Sequence, residues 1–392
     1  MHKLIALASI LLIAVGLAGL AVPTMAAPSG QGGPTLNLIA GQGDGVISMN
    51  GFIGDPGLAV RAPLAGGSGV RVAVGTTVTW TNGSDESHFV TFLAGGEAPH
   101  LLIPQPEDPT GRPPMFNPEF LFPTAPLGPW DGATFANSGE LQRGQQFSLT
   151  FSRAGSYLYT CLFHKNVMNG VVEVVEAGAS GLTNQAAVDA FAANHMTNVH
   201  EPQLALIMAT RNTAEQSPLP DGSSLWAVRA GTDWKNGHLD VEAFMPEDLT
   251  VRQGDTVLWN VDQNVPHTVT FVGQGAARPD FILIQLPDGT MMSFDPSGPP
   301  PEMPPGPVDP SQMPRFILGP AAIPGRASPV HNGVGLYNSG LIGFDSNEPL
   351  APPGSPATAT WSLSFGAPGT YDYVCLLHEQ LGMKGTVTVL PR

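Results

Sequence analysis

The chain has 392 residues, only 12% of them charged, and a formal net charge of −16. Such an acidic chain has no electrostatic footing on nucleic acid, whose phosphates need a basic partner; its carboxylates suit solubility and steering toward partners with basic surfaces. With 47 Gly and 40 Pro, about a fifth of the residues break regular structure, which excludes a bundle of long helices and favours short strands between turns.

At the N-terminus Lys3 precedes an uncharged apolar run, Leu4–Val22, and then Pro23-Thr24-Met25-Ala26-Ala27. A basic start, an apolar stretch and a small-residue site are the parts of an export signal. Residues 1–26 are therefore expected to be a signal peptide and the mature protein to be exported, either periplasmic or extracellular at the cell surface. The run is long for a signal, so the alternative is an uncleaved anchor, the one membrane contact the sequence suggests.

Residues 27–178 form the first expected domain, with strand-like runs at Leu36–Ala40, Val70–Val74, Thr77–Thr81, His88–Leu93, Gln146–Phe151, Ser156–Thr160 and Gly170–Val175. Residues 179–222 read as a linker, with Thr183 capping a short helix that ends near His195 and Leu204–Ala209 as an apolar run packing between domains. The second domain, 223–392, repeats the pattern at Trp226–Ala230, His238–Phe244, Leu249–Val251, Asp255–Asn260, His267–Val272, Thr358–Phe365, Thr370–Cys375 and Gly385–Leu390. His238 is expected to be an exposed strand residue. Short strands between turns, twice over, imply an all-β fold of two tandem β-sandwiches joined by a partly helical linker.

The repeat is sharpest around the only two cysteines. The first copy reads Tyr157-Leu158-Tyr159-Thr160-Cys161-Leu162-Phe163-His164, with Met168 four residues after the histidine. The second reads Tyr371-Asp372-Tyr373-Val374-Cys375-Leu376-Leu377-His378, with Met383 five residues after. Upstream, His88 and His267 each fall eight residues after a tryptophan, Trp80 and Trp259. A third matching segment is Phe135-Ala136-Asn137-Ser138-Gly139 beside Tyr337-Asn338-Ser339-Gly340. Between upstream histidine and cysteine lie 72 residues in the first copy and 107 in the second, much of it Pro-rich insertion that cannot join a central strand.

Two exported cysteines would ordinarily suggest a disulfide, but equivalent positions of two repeats are poorly placed to bridge each other. Two imidazoles, a thiolate and a thioether instead make a soft trigonal site with a weak axial sulfur, the ligand set of blue-copper electron transfer. Both halves resemble cupredoxins of the plastocyanin/azurin group, through Gly-x-Tyr-x-Tyr-x-Cys-x-x-His, the following Met and the upstream strand histidine. That resemblance implies Greek-key sandwiches and two type 1 copper ions, one held by His88, Cys161, His164 and Met168, the other by His267, Cys375, His378 and Met383. It also implies that each loop histidine reaches the surface through an apolar patch, to which Leu162, Phe163, Leu376 and Leu377 would contribute, and exchanges electrons there with redox partner proteins.

Function then divides three ways. An electron carrier needs only the two quartets. A copper oxidoreductase of the nitrite reductase or multicopper oxidase kind would need an open metal position for substrate, yet Thr160 and Val374 precede the cysteines and no His-x-His occurs. Copper storage or delivery favours exposed thioethers, for which Met291, Met292, Met303 and Met313 are candidates; His195 and His200, near Met196 and Met208, are candidates for a further metal site. The sequence favours the non-enzymatic electron carrier.

Overall fold

The computed structural model describes residues 33–56, 69–105, 113–126, 128–165, 167–233, 238–262, 265–294, 314–343 and 359–392. The expected signal peptide, Met303 and Met313 lie outside the described residues. Among the described residues no helix is long and apolar enough to cross a membrane.

The main strands of the first half are β1 (Thr35–Gln42), β2 (Ile47–Ile53), β3 (Val70–Ala73), β4 (Thr77–Gly83), β5 (Thr91–Phe92), β6 (Gln146–Thr150), β7 (Gly155–Thr160) and β8 (Asn169–Val175). Those of the second are β9 (Ser224–Asp233), β10 (Leu239–Met245), β11 (Asp248–Arg252), β12 (Thr256–Asp262), β13 (Thr270–Val272), β14 (Thr360–Phe365), β15 (Gly369–Val374) and β16 (Lys384–Leu390). The pairings recur: β1 runs parallel to β4 as β9 does to β12, and β7 is antiparallel to β8 as β15 is to β16. The protein is all-β, built as two sandwiches.

Alternation explains the strands. In β4, Val78, Trp80 and Asn82 face the core while Thr77, Thr79 and Thr81 face outward, a period-2 pattern of β-branched and aromatic residues. Each half closes on the same aromatic group. Trp80 meets Tyr159 edge-on at 5.1 Å and Tyr159 stacks on Phe92 at 5.2 Å; Trp259 meets Tyr373 at 5.4 Å and Tyr373 stacks on Phe271 at 4.8 Å. Offset and edge-on contacts suit the ring quadrupoles and anchor the strands that lead into the two cysteine-bearing loops.

The halves are joined by more than a linker. β2 pairs antiparallel with β10, Ser48 opposite Asp240 and Ile47 opposite Val241, so one sheet runs β14-β12-β9-β10-β2-β1-β4-β6 through both halves. The insertions pair as well, Met115 opposite Ile317. Between the halves, α1 (Gln185–His195) is capped by the side chain of Asn184, which accepts from the Ala187 N–H. Thr183, the expected cap, instead accepts from the Arg71 N–H. A π-helical turn, Met196–His200, leads into α2 (Glu201–Ala209). Ile207 of α2 packs with Leu239, Val241 and Met245 of the second half and Ile47 of the first, so this apolar run does lie between the two.

Candidate metal centres

Three members of the first quartet, His88, Cys161 and His164, converge. Cys161 Sγ lies 3.6 Å from His164 Nδ1 and 4.0 Å from His88 Nδ1. In the second, Cys375 Sγ lies 3.5 Å from His378 Nδ1 and 3.7 Å from His267 Nδ1, and the two Nδ1 atoms are 3.0 Å apart. Cys161, His88 and Met168, like Cys375, His267 and Met383, are wholly buried. The donor chemistry fits a soft ion. Three buried donors brought together, two from one loop and one from the upstream bridge, are costly unless something shared compensates them.

The local fold brings them together in the same way twice. Neither upstream histidine sits inside the expected long strand; each is held by one isolated bridge just before it. His88 exchanges backbone hydrogen bonds with Leu141 (3.1 and 2.8 Å) and His267 with Ile342 (2.9 and 2.9 Å). The repeated Asn-Ser segment fixes this crossing: the Val90 N–H donates to Ser138 Oγ and the Val269 N–H to Ser339 Oγ. Asn137 donates to the Phe120 and Phe122 carbonyls and Asn338 to those of Ala321 and Ile323, tying down the insertions. The ligand loops close on themselves, the Cys161 N–H donating to the Met168 carbonyl at 3.0 Å and the Cys375 N–H to that of Met383 at 3.1 Å. Backbone N–H groups of Phe89 and Thr268 donate to the sulfurs, each at 3.4 Å.

Gly41 presses on the first site. Its φ is +70°, and a Cβ there would stand 1.9 Å from His88 Nε2. It forms the bulge where the register of β1 slips between Ala40 and Gln42; β9 slips likewise against β10 between Ala230 and Thr232, around Gly231 with φ +73°. Only glycine fits this crossing of backbone and imidazole.

Three buried carboxylates that sequence reading passed over surround the sites. Glu86 Oε1 is 3.1 Å from His164 Nε2, and Asp240 Oδ2 of β10 is 3.9 Å from the same atom. Glu242 Oε2, also of β10, is 3.2 Å from His267 Nε2 and 3.6 Å from His378 Nδ1. Asn50 on β2 donates to Asp240 at 2.5 Å and receives the Ser48 hydroxyl at 3.0 Å. His238 is buried rather than exposed, its Nδ1 3.2 Å from the Asn50 carbonyl, because its strand forms the seam between halves.

Electrostatics separate the sites. Burial raises the Cys161 thiol, but the imidazoles of His164 and His88 more than reverse this and hold it at about 5. Burial would neutralise His164, yet the Glu86 charge and the Cys161 sulfur lift it well above the usual histidine range. Glu86 is held low against its own burial by His164, and Asp240 is pushed well up by burial and then by the Glu86 charge. In the second site burial dominates: Cys375 rises to about 11 and His378 falls to about 4. Without metal the first site is a zwitterionic cluster, whereas the second holds a neutral thiol beside neutral imidazoles.

The loop histidines do not reach the outer surface; His164 is 4% exposed and His378 1%. Both line one cavity of about 80 Å³ between the halves, with Glu86, Phe163 and Leu377. Of the four apolar residues expected around the loop histidines, Phe163 and Leu377 line this inward-facing cavity, while Leu162 and Leu376 do not. Of the other residues singled out, His200 is buried and His195 half-buried; among the described residues neither ring nitrogen of His200 has a hydrogen-bond partner, and neither histidine belongs to a cluster of metal-ligating side chains. Met291 and Met292 are about half exposed on a short strand, Met291–Ser293.

No protein family and no curated protein matches this chain. Among solved structures, an oxidized amicyanin variant is 27% identical over 27% of this chain and 68% of its own, with a TM-score of 0.17. A reduced amicyanin variant is 29% identical over the same shares, TM-score 0.17. Oxidized plastocyanin from Dryopteris crassirhizoma is 17% identical over 42% of this chain and 99% of its own, TM-score 0.20. At such TM-scores neither likeness carries the reading of the sites, which rests on their donor geometry.

Proposed function

We propose that this is an exported copper protein with two type 1 centres that passes single electrons between redox partner proteins. The observation that carries the reading is the twofold convergence of two Nδ1 atoms and one Sγ inside a buried pocket, each followed by a buried methionine in the same loop. Thiolate, imidazole and thioether are soft donors, and copper bound among them would supply reversible one-electron chemistry. The chain's part is to fix the donors so that neither oxidation state demands rearrangement; isolated bridges, a self-closed loop and an aromatic core on each side serve that end. The acidic surface suits partners with basic docking faces.

Copper titration of the mature protein, followed by visible absorption and EPR, tests this. Two equivalents with a thiolate-to-copper band and type 1 signals alone are expected, and one equivalent in Cys161→Ser or Cys375→Ser. A colourless protein, or one preferring zinc, sinks the proposal. One observation favours the oxidoreductase reading: Glu86, His164 and Asp240 offer ligand atoms within 4.8 Å of one another beside the shared cavity. A third equivalent with a type 2 signal would favour that reading.

A further inference from the structure

β10 carries Asp240 and Glu242 two residues apart, hence on one face of the strand and about 7 Å apart. Asp240 approaches the first site at His164 Nε2 and Glu242 the second at His267 Nε2. Glu86 Oε1, from the first half, stands 3.1 Å from the same His164 nitrogen, close enough to pair electrostatically although the two are not aligned as a hydrogen bond. All three carboxylates are at least 95% buried, and Glu86 Oε2 has no hydrogen-bond partner among the described residues. Surface solubility explains none of them, since burying a carboxylate without a cationic or donor partner is strongly unfavourable.

We propose that Glu86 and Glu242 are the positioning residues of the two metal sites, and that they grip different histidines, which makes the repeated sites unequal. A ligating imidazole needs its outer N–H accepted by something that fixes tautomer and ring angle and raises its basicity. In both sites Nδ1 faces sulfur, leaving Nε2–H for the carboxylate. In the first site the gripped ring is the loop histidine, His164; the outer nitrogen of His88 faces Gly41 and has no hydrogen-bond partner among the described residues. In the second it is the strand histidine, His267, and the same carboxylate lies against His378. The first site further depends on the opposite half. Asp240, set by Asn50 across the β2–β10 pair, stands 3.9 Å from His164 Nε2, so a residue of the second half borders the Glu86–His164 clamp.

The inference rests on the copper reading above, and its test separates the two. Cu(II) affinity, by chelator competition, and reduction potential are measured for Glu86→Gln in a Cys375→Ser background and Glu242→Gln in a Cys161→Ser background. The expected result is about 10–100-fold weaker copper binding and a higher potential, because an anionic acceptor favours Cu(II). In otherwise unaltered protein, each change affects only its own site. Asp240→Ala should weaken the first site and spare the second. Unchanged affinity and potential in both glutamine variants, or equal shifts at both sites, would overturn the proposal. So would a third copper equivalent lost on Asp240→Ala, which makes the carboxylates ligands in their own right. If the unaltered protein binds no copper, the functional reading fails, and the clamps are read in metal-free protein from slowly exchanging Nε2–H resonances of His164 and His267. Their presence, and loss in Glu86→Leu and Glu242→Leu respectively, supports the clamps; their absence overturns them.

Discussion

Replacing Gly41 by alanine should dismantle the first proposed metal site and leave the second intact. The new Cβ would stand 1.9, 2.2 and 2.9 Å from three atoms of the His88 ring. An ordinary contact requires about 3.5 Å, so the ring must retreat by roughly 1.5 Å, several times the ~0.5 Å tolerance of a working ligand constellation. The backbone adds its own penalty, since φ +70° costs a residue with a Cβ about 1–2 kcal/mol. Gly75→Ala separates the two effects: φ there is +88° with nothing within 4 Å of the added atom, so it should show the strain alone. In urea unfolding of the metal-free protein Gly75→Ala should lose about 1–2 kcal/mol, and Gly41→Ala that amount plus about 1–3 kcal/mol for displacing the buried ring. Only Gly41→Ala should also lose copper at the first site, by more than the roughly 10–100-fold typical of a missing supporting partner. Two full equivalents with unchanged spectra in Gly41→Ala would refute the reasoning, because His88 would then not need the space that the glycine leaves.

Further outcomes follow from the inequality of the sites. Metal-free protein at neutral pH should show the ultraviolet absorption of one thiolate, lost in Cys161→Ser and kept in Cys375→Ser; it should titrate away as pH falls through about 5, and a second thiolate should appear only near 11. Glu86 binds its proton at about 2 folded against an ordinary 4.5, so the unfolded chain binds more protons between these values. The resulting stability is full above 4.5 and lost as pH falls toward 2; acid unfolding of Glu86→Gln should lack this component. Asn338→Ala should cost about 2–4 kcal/mol, since it strands the Ala321 and Ile323 carbonyls and the Thr270 hydroxyl. Ile207→Ala should cost about 2–5 kcal/mol by opening a cavity at the junction of the halves, measurable by denaturant unfolding.

The convergence of the two histidines with the cysteine in each half was legible because the spacing is local: one loop carries Cys, His and Met, and each tryptophan marks its upstream histidine. The supporting shell was not. In Leu239-Asp240-Val241-Glu242-Ala243 the alternation reads as a strand with one wet face, and nothing local says that the polar face is covered. Burial there comes from β2, about 190 residues away in sequence, whose Ser48, Asn50 and Gly51 are weak strand formers and gave no strand signal. Glu86 did carry a usable cue, since it precedes His88 by two and so falls on the same side of an extended chain. The inward turn of the loop histidines escaped for the same reason as His238: a one-domain pattern, applied twice, contains no information about the face on which two copies meet.

The continuous sheet also decides what can be cut from what. At their junction β2 and β10 satisfy each other's backbone N–H and carbonyl groups, so either half produced alone would present an open row of donors and acceptors flanked by apolar residues such as Ile47 and Val241. Such an edge recruits whatever extended chain it meets, including another copy of itself. The duplicated unit is thus its own edge protection, and the smallest well-behaved fragment of this protein is the pair.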